Sequence, residues 1–156
     1  MVKNGESFTA NNFIGLYERN FEARGRLAIP VNFRKKLSAG AILTRGLDGC
    51  LFLFSKRNWQ EIADKLSKTP LTSVDARAFT RLLTYEAFEV DFDSQGRILI
   101  PEILKNFSQL VKTAIVAGSL DRIEIWDKEK FNLYQKKIEK SSDEIAERLT
   151  NLEIRI

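Results

Sequence analysis

Asn20-Phe21-Glu22-Ala23-Arg24-Gly25-Arg26-Leu27-Ala28-Ile29-Pro30 returns later in the chain as Asp91-Phe92-Asp93-Ser94-Gln95-Gly96-Arg97-Ile98-Leu99-Ile100-Pro101. Phe, an acid, Gly-Arg, an aliphatic residue, Ile and Pro recur in register, and Arg26 and Arg97 set the offset at 71. One Gly-Arg pair would mean nothing; the pattern acid-x-x-Gly-Arg-aliphatic-x-Ile-Pro, present twice with matching flanks, marks an internal duplication. Downstream the match continues at an offset of 72. Ala41-Ile42-Leu43-Thr44-Arg45-Gly46 aligns with Thr113-Ala114-Ile115-Val116-Ala117-Gly118, and Leu51-Phe52-Leu53-Phe54 with Ile123-Glu124-Ile125-Trp126. Each half therefore reads as strand, turn, strand, short helix, strand, turn, strand.

Local chemistry agrees with that order. Phe88-Glu89-Val90-Asp91-Phe92 alternates with the period of a half-buried strand. Gly25 and Gly96 supply turn positions at which a positive φ is cheap. Leu27-Ala28-Ile29 and Ile98-Leu99-Ile100 are apolar throughout, as strands buried on both faces would be. Pro30 and Pro101 end those strands and suit the start of a helix. Trp59, Ile62, Ala63 and Leu66 fall at helical spacing, and after Pro70 so do Val74, Ala78 and Leu82, with Phe79 beside them. These two segments predict a helical hairpin that packs one apolar face and links the halves. Lys130 to about Leu149 reads as a charged C-terminal helix, interrupted or recapped at Ser141-Ser142-Asp143.

Composition removes several chemistries. No histidine is present, which excludes Ser-His-Asp and Cys-His catalysis and removes the commonest zinc ligand. Cys50 is the sole cysteine, and its apolar setting, Cys50-Leu51-Phe52-Leu53-Phe54, predicts a small buried hydrophobe. A hydrolase built on Cys50 or on the carboxylates lacks a base and a recognisable nucleophile motif. No cofactor, metal site or catalytic residue is expected. No apolar run approaches the ~20 residues that span a bilayer, and the polar start, Met1 to Asn12, has no signal-peptide core. The expectation is a soluble cytoplasmic protein with no membrane partner.

The net charge of +4 hints at a polyanionic partner, and its distribution says more. From Phe13 to Leu37 six basic residues face two acids; the equivalent window, Thr84 to Ser108, has two basic residues and five acids. The first half thus offers a cationic turn and helix, and the second reads as completing the fold. The candidate DNA-binding residues are Arg24, Gly25 and Arg26 in the turn and Arg34, Lys35 and Lys36 on the helix after it. Arginine's planar fork can hold guanine or phosphate bidentately, and helix cations can fix register through phosphates. Bland readings stand beside each of these. Arg26 could pair with Glu22, and Arg34, Lys35 and Lys36 could be a solvated helix face. Arg97 reads as a structural ion pair with nearby acids. Glu22, Asp93, Gly96 and Arg97 are assigned to the structure of the turns, the two acids bonding turn amides. Trp59, Trp126 and Phe131 read as core or interface anchors.

The duplicated motif resembles the MraZ family, whose halves are each similar to the AbrB/SpoVT swapped-hairpin DNA-binding domain. Asn12-Phe13-Ile14-Gly15, Arg77-Ala78-Phe79-Thr80-Arg81, Gln95-Gly96-Arg97 and Arg122-Ile123-Glu124-Ile125-Trp126-Asp127 also look like family segments. In the first copy the family's usual Leu-Asp-x-Lys-Gly-Arg is here Phe21-Glu22-Ala23-Arg24-Gly25-Arg26, which keeps the charge signs. The resemblance implies an α+β fold: a pseudo-duplicated AbrB-like swapped-hairpin β-barrel with linking helices and a C-terminal helix. The expected divisions are an extension (1–12), repeat 1 (16–58), a helical linker (59–84), repeat 2 (87–130) and a helical tail (131–156). It also implies a nucleoid-associated regulator that forms ring-shaped homo-oligomers. Such a protein binds double-stranded DNA at short promoter repeats of the division and cell-wall gene cluster, including its own gene. In a ring of head-to-tail chains, equivalent turns point the same way, so direct repeats are expected rather than a palindrome. A protein-interaction adaptor on the same barrel is the competing reading; the basic patch favours DNA.

Overall fold

The computed structural model describes residues 12–154; residues 1–11 of the expected extension and the last two residues of the tail lie outside the described residues. Repeat 1 supplies β1 (Phe13–Glu22), β2 (Arg26–Ala28), the short helix α1 (Val31–Arg34, continued as a 3-10 turn over Lys35–Leu37), β3 (Ala41–Arg45) and β4 (Leu51–Ser55). Helices α2 (Lys56–Ser67) and α3 (Val74–Thr84) follow. Repeat 2 supplies β5 (Phe88–Val90), β6 (Arg97–Leu99), α4 (Glu102–Ser108), β7 (Thr113–Leu120) and β8 (Ile123–Asp127), then α5 (Lys128–Lys140) and α6 (Ser142–Thr150).

The eight strands form one antiparallel sheet in the order β5-β3-β4-β8-β7-β1-β2-β6. Its two end strands, β5 and β6, are consecutive in the chain, and the Asp93 N–H donates to Arg97 O at 3.0 Å between them, so the sheet nearly closes into a barrel. The halves exchange strands: β1 of repeat 1 lies on β7 of repeat 2, and β5 of repeat 2 on β3 of repeat 1. Neither half can bury its apolar strands alone. A pseudo-two-fold axis passes through the paired Leu27 and Ile98 and through the paired Phe52 and Glu124, both pairs being related by the repeat offset.

Alternation sorts the side chains into two layers. Leu27, Leu43, Leu51, Leu53, Ile98, Val116, Ile123 and Ile125 fill the barrel. On the opposite face of β4, β7 and β8, Cys50, Phe52, Phe54, Ile115 and Trp126 form a second cluster, covered by Trp59 and Ile62 of α2 and by Phe131 and Tyr134 of α5. Trp126 stacks on Tyr134 at a centroid distance of 5.1 Å. The predicted aromatic anchors are thus core residues that attach helices to the barrel.

The duplication extends to the helix starts. Ser55 caps α2 by accepting from Asn58 N (3.1 Å), and Asp127 caps α5 by accepting from Lys130 N (3.3 Å). The capped residues then reach across the axis: Asn58 Nδ2 donates to Asp121 O and Lys130 Nζ to Gly49 O. Ser141 ends α5 and α6 begins anew, as the serine pair suggested, although the Ser141 side chain makes no cap bond.

Two expectations need correction. The strands β2 and β6 are buried on one face only: Leu27 and Ile98 point inward, whereas Leu99 is 47% exposed. A barrel strand of three residues has one interior face, and apolar composition alone does not reveal which residues occupy it. Helix α3 also faces the other way from its apolar stripe. It packs on the barrel through Leu83, whose carbonyl accepts from the buried Thr44 Oγ1 at 2.6 Å, while Val74, Leu82 and Tyr85 are exposed.

Candidate nucleic-acid interface

The strand pair β2–β6 lies on the pseudo-axis and positions both Gly-Arg motifs. In register, Arg26 faces Leu99 and Ala28 faces Arg97. Paired residues share a face. Since Leu27 and Ile98 point inward, Arg26, Ala28, Arg97 and Leu99 together form the outward face. The backbones lock reciprocally: Ile29 N–H donates to Gly96 O at 3.1 Å, and Ile100 N–H to Gly25 O at 2.7 Å.

The two turns are built differently. Asp93 Oδ1 accepts from the Gln95 and Arg97 amides at 2.9 and 3.0 Å, and its Oδ2 accepts from Arg97 Nε at 2.9 Å. The Arg97 amide and guanidinium hold the carboxyl below the usual aspartate range, and Asp93 in turn raises Arg97. Glu22, its equivalent, was expected to bond turn amides as well, but it makes no such bond. Its extra methylene carries the carboxylate past the turn, where it meets Arg97 Nη1 at 3.3 Å. Arg26, for which Glu22 was the sequence-local partner, instead lies 3.8 Å from Asp93, too long for a hydrogen bond. Each motif arginine therefore reaches the acid of the other repeat. Arg97 is the ion-paired one, held by two carboxylates, and Arg26 is the looser.

At the tip of the first turn both Arg24 (φ 66°) and Gly25 (φ 78°) are left-handed. The sequence pointed to Gly25 alone. A left-handed arginine is disfavoured by roughly 1–2 kcal/mol and is held here by the pairing of Glu22 with Arg26 across the turn and by the lock at Gly25 O. Arg24 is exposed, and its side chain has no ion-pair or hydrogen-bond partner among the described residues.

The helix cations divide. Lys35 is exposed and, among the described residues, makes no side-chain pairing. Lys36 Nζ donates to Asn12 O at 2.5 Å and sits 5.6 Å from the Phe13 ring centroid, so it fastens the start of β1. Arg34 Nε donates to Ile29 O at 2.9 Å, and its guanidinium lies against Gly96: a Cβ built there would fall 2.4 Å from Cζ. Arg34 thus belongs to repeat 1 in sequence and to the second turn in space.

The linear charge count separates the repeats, but the fold does not. Arg24, Arg26, Arg34 and Arg97 share the locked β2–β6 platform with two carboxylates, Glu22 and Asp93. Sequence reasoning passed over Gln95, which the offset places opposite Arg24 and which stands exposed at the second tip. The alignment held that signal; reading the halves as separate surfaces hid it.

Other chemistry is sparse. Cys50 is 1% exposed, and burial pushes its thiol well above the ordinary range. No group of residues that could hold a metal occurs among the described residues, and no described helix is long and apolar enough to cross a membrane.

A family model described as "MraZ protein, putative antitoxin-like" matches residues 13–82 and again 83–153. The chain belongs to the MraZ family. Each match takes in one barrel half with the helices that follow it. Curated relatives named transcriptional regulator MraZ include one from Lactobacillus delbrueckii subsp. bulgaricus, 43% identical over 91% of this chain and 99% of its own. Another, from Caldanaerobacter subterraneus subsp. tengcongensis, is 45% identical over 90% of this chain and 99% of its own. One from Desulforamulus reducens is 40% identical over the same shares. MraZ proteins carry the name of a regulator, not of an enzyme.

Proposed function

We propose that this MraZ-family chain is a DNA-binding transcriptional regulator that reads duplex DNA with the Arg24-Gly25-Arg26 turn. One observation carries the reading: a left-handed arginine whose side chain has no partner among the described residues stands at the tip of a turn locked to a nearly closed barrel, with Arg26 loosely held beside it. A guanidinium already tied by two carboxylates, such as Arg97, must give up those bonds to meet a base; Arg24 gives up none. Lys35 adds a phosphate contact. The site is cytoplasmic and nucleoid-associated in this reading, and the operator is a set of direct repeats in the promoter of the division and cell-wall gene cluster, its own gene included.

Ring-shaped self-association belongs to the same proposal. Val74 and Leu82 of the apolar stripe on α3, Tyr85 just past the end of that helix, and the pair Ile14 and Leu16 on β1 are all more than half exposed in the single chain. Apolar surface so grouped usually serves an interface, and a second copy is the occupant the ring requires. Light scattering should give a multimer; a species of about 17.9 kDa would contradict it.

Fluorescence anisotropy on the chain's own upstream DNA, titrated with salt, tests the DNA reading. The expected result is binding that weakens steeply with salt, by ~0.9 in log affinity per log salt for each phosphate neutralised. Absence of binding to that DNA in excess of random duplex would defeat it.

A further inference from the structure

The second turn is a second DNA-contacting element: we propose that Gln95 reads a base edge there while Arg34, supplied by repeat 1, holds a phosphate. This rests on the DNA reading above and extends it to a part of the chain whose own charges argue against it. Taken alone, the second turn is acidic and would repel a phosphate backbone. The fold changes that. Asp93 is already committed, with Oδ1 under two amides and Oδ2 on Arg97. A cation from the other repeat is then laid on the tip: Arg34 lies directly on Gly96, which can sit beneath it because it has no side chain. Among the described residues only Nε of the Arg34 nitrogens is engaged, leaving both terminal amino groups for an oxygen.

Each turn therefore carries one guanidinium whose terminal nitrogens have no partner among the described residues. The first has Arg24 at its own tip; the second has Arg34 across it. Lys105, which the repeat places opposite Arg34, does not complete the symmetry, because its Nζ sits 5.5 Å from the Phe21 ring centroid. The tips then differ in what they can recognise. Arg24 suits guanine or phosphate. Gln95 is exposed, its backbone amide is fixed on Asp93, and its side-chain amide has no partner among the described residues. A glutamine amide pairs bidentately with the N6 and N7 edge of adenine. Because the platform is pseudo-symmetric and its tips are not, one chain would read two positions of unequal identity. That gives each repeat of the operator a direction.

The test begins with duplexes enriched from a randomised library on the wild-type protein. The best duplex and all its single-base variants are then titrated with wild type, Gln95→Ala, Arg34→Gln and Arg26→Ala. Gln95→Ala should lose discrimination at one A·T pair by about 5- to 150-fold, with the preferences elsewhere kept. Arg34→Gln should weaken every duplex alike and lower the salt slope by about one. Gln95 is exposed and its side chain makes no hydrogen bond among the described residues, so its variant, with folding checked by circular dichroism, reports on recognition. A Gln95→Ala preference profile identical to wild type overturns the proposal. If no duplex is enriched, or Arg26→Ala binds like wild type, the underlying DNA reading has failed instead.

Discussion

Gly96→Ala separates the second turn from the first in a measurable way. At both Gly25 and Gly96 the backbone is left-handed, with φ 78° and 75°, so an alanine costs roughly 1–2 kcal/mol at either. The surroundings then diverge. At Gly25 the new Cβ meets Ile100 O at 3.2 Å and Leu99 Cδ1 at 3.5 Å, so that the carbonyl has to give by only a few tenths of an ångström. At Gly96 it falls 2.4 to 2.6 Å from Cζ, Nη1 and Nε of Arg34, so the guanidinium must leave. Leaving breaks the Nε bond to Ile29 O, a hydrogen bond with a charged donor worth about 1.5–3 kcal/mol. Gly96→Ala should therefore cost about 2.5–5 kcal/mol against 1–2 for Gly25→Ala. Urea unfolding at one protein concentration measures both. A double-mutant cycle isolates the cause: in an Arg34→Ala background the excess at Gly96 should vanish. Equal costs for the two glycine variants, or an excess that persists without Arg34, would refute the reasoning.

Other outcomes follow from the same geometry. Inserting about 5 bp between operator repeats should collapse multivalent affinity, and about 10 bp should restore part of it, because successive turns meet the same groove once per helical turn; equal binding at all spacings, or a preference for inverted repeats, would count against the head-to-tail ring. Asp93 and Glu89 are both held below their usual range, Asp93 by the Arg97 amide and Glu89 by Lys56, so their stabilising contributions are complete above the ordinary carboxylate range and are lost as pH falls through the lowered values. With no histidine to titrate, unfolding midpoints should be level from about pH 5.5 to 8 and fall below about 4; a transition near neutrality would contradict this. Cys50 should resist alkylation in the native protein and react once it is unfolded, and rapid native labelling would show the second core cluster to be open.

What the sequence revealed follows the range over which its signals act. The repeat and its turns are local, so Gly25, Pro30 and their equivalents could be read directly. The exchange of β1 and β5 between halves leaves no mark in periodicity and came through the family resemblance. Partners across the pseudo-axis were invisible. Arg26 was matched with Glu22, four residues away, whereas the acid beside it is Asp93. Arg34 looked like one of three helix cations until the fold laid it on Gly96. On α3 a stripe at positions 74, 78 and 82 has the same period whether it meets the barrel or another chain, so periodicity found the stripe and could not tell which it faced.

The most direct measurement is the affinity of wild type and Arg26→Ala for one selected duplex, at fixed salt, with circular dichroism recorded on both. A bidentate base contact is worth roughly 1–3 kcal/mol, and copies in an assembly multiply the loss. The prediction is a fall of about 100-fold or more with an unchanged spectrum, whereas Arg97→Ala, which strips Asp93 and Glu22 of their shared cation, lowers the unfolding midpoint. A folded Arg26→Ala that binds the duplex as tightly as wild type would contradict the account.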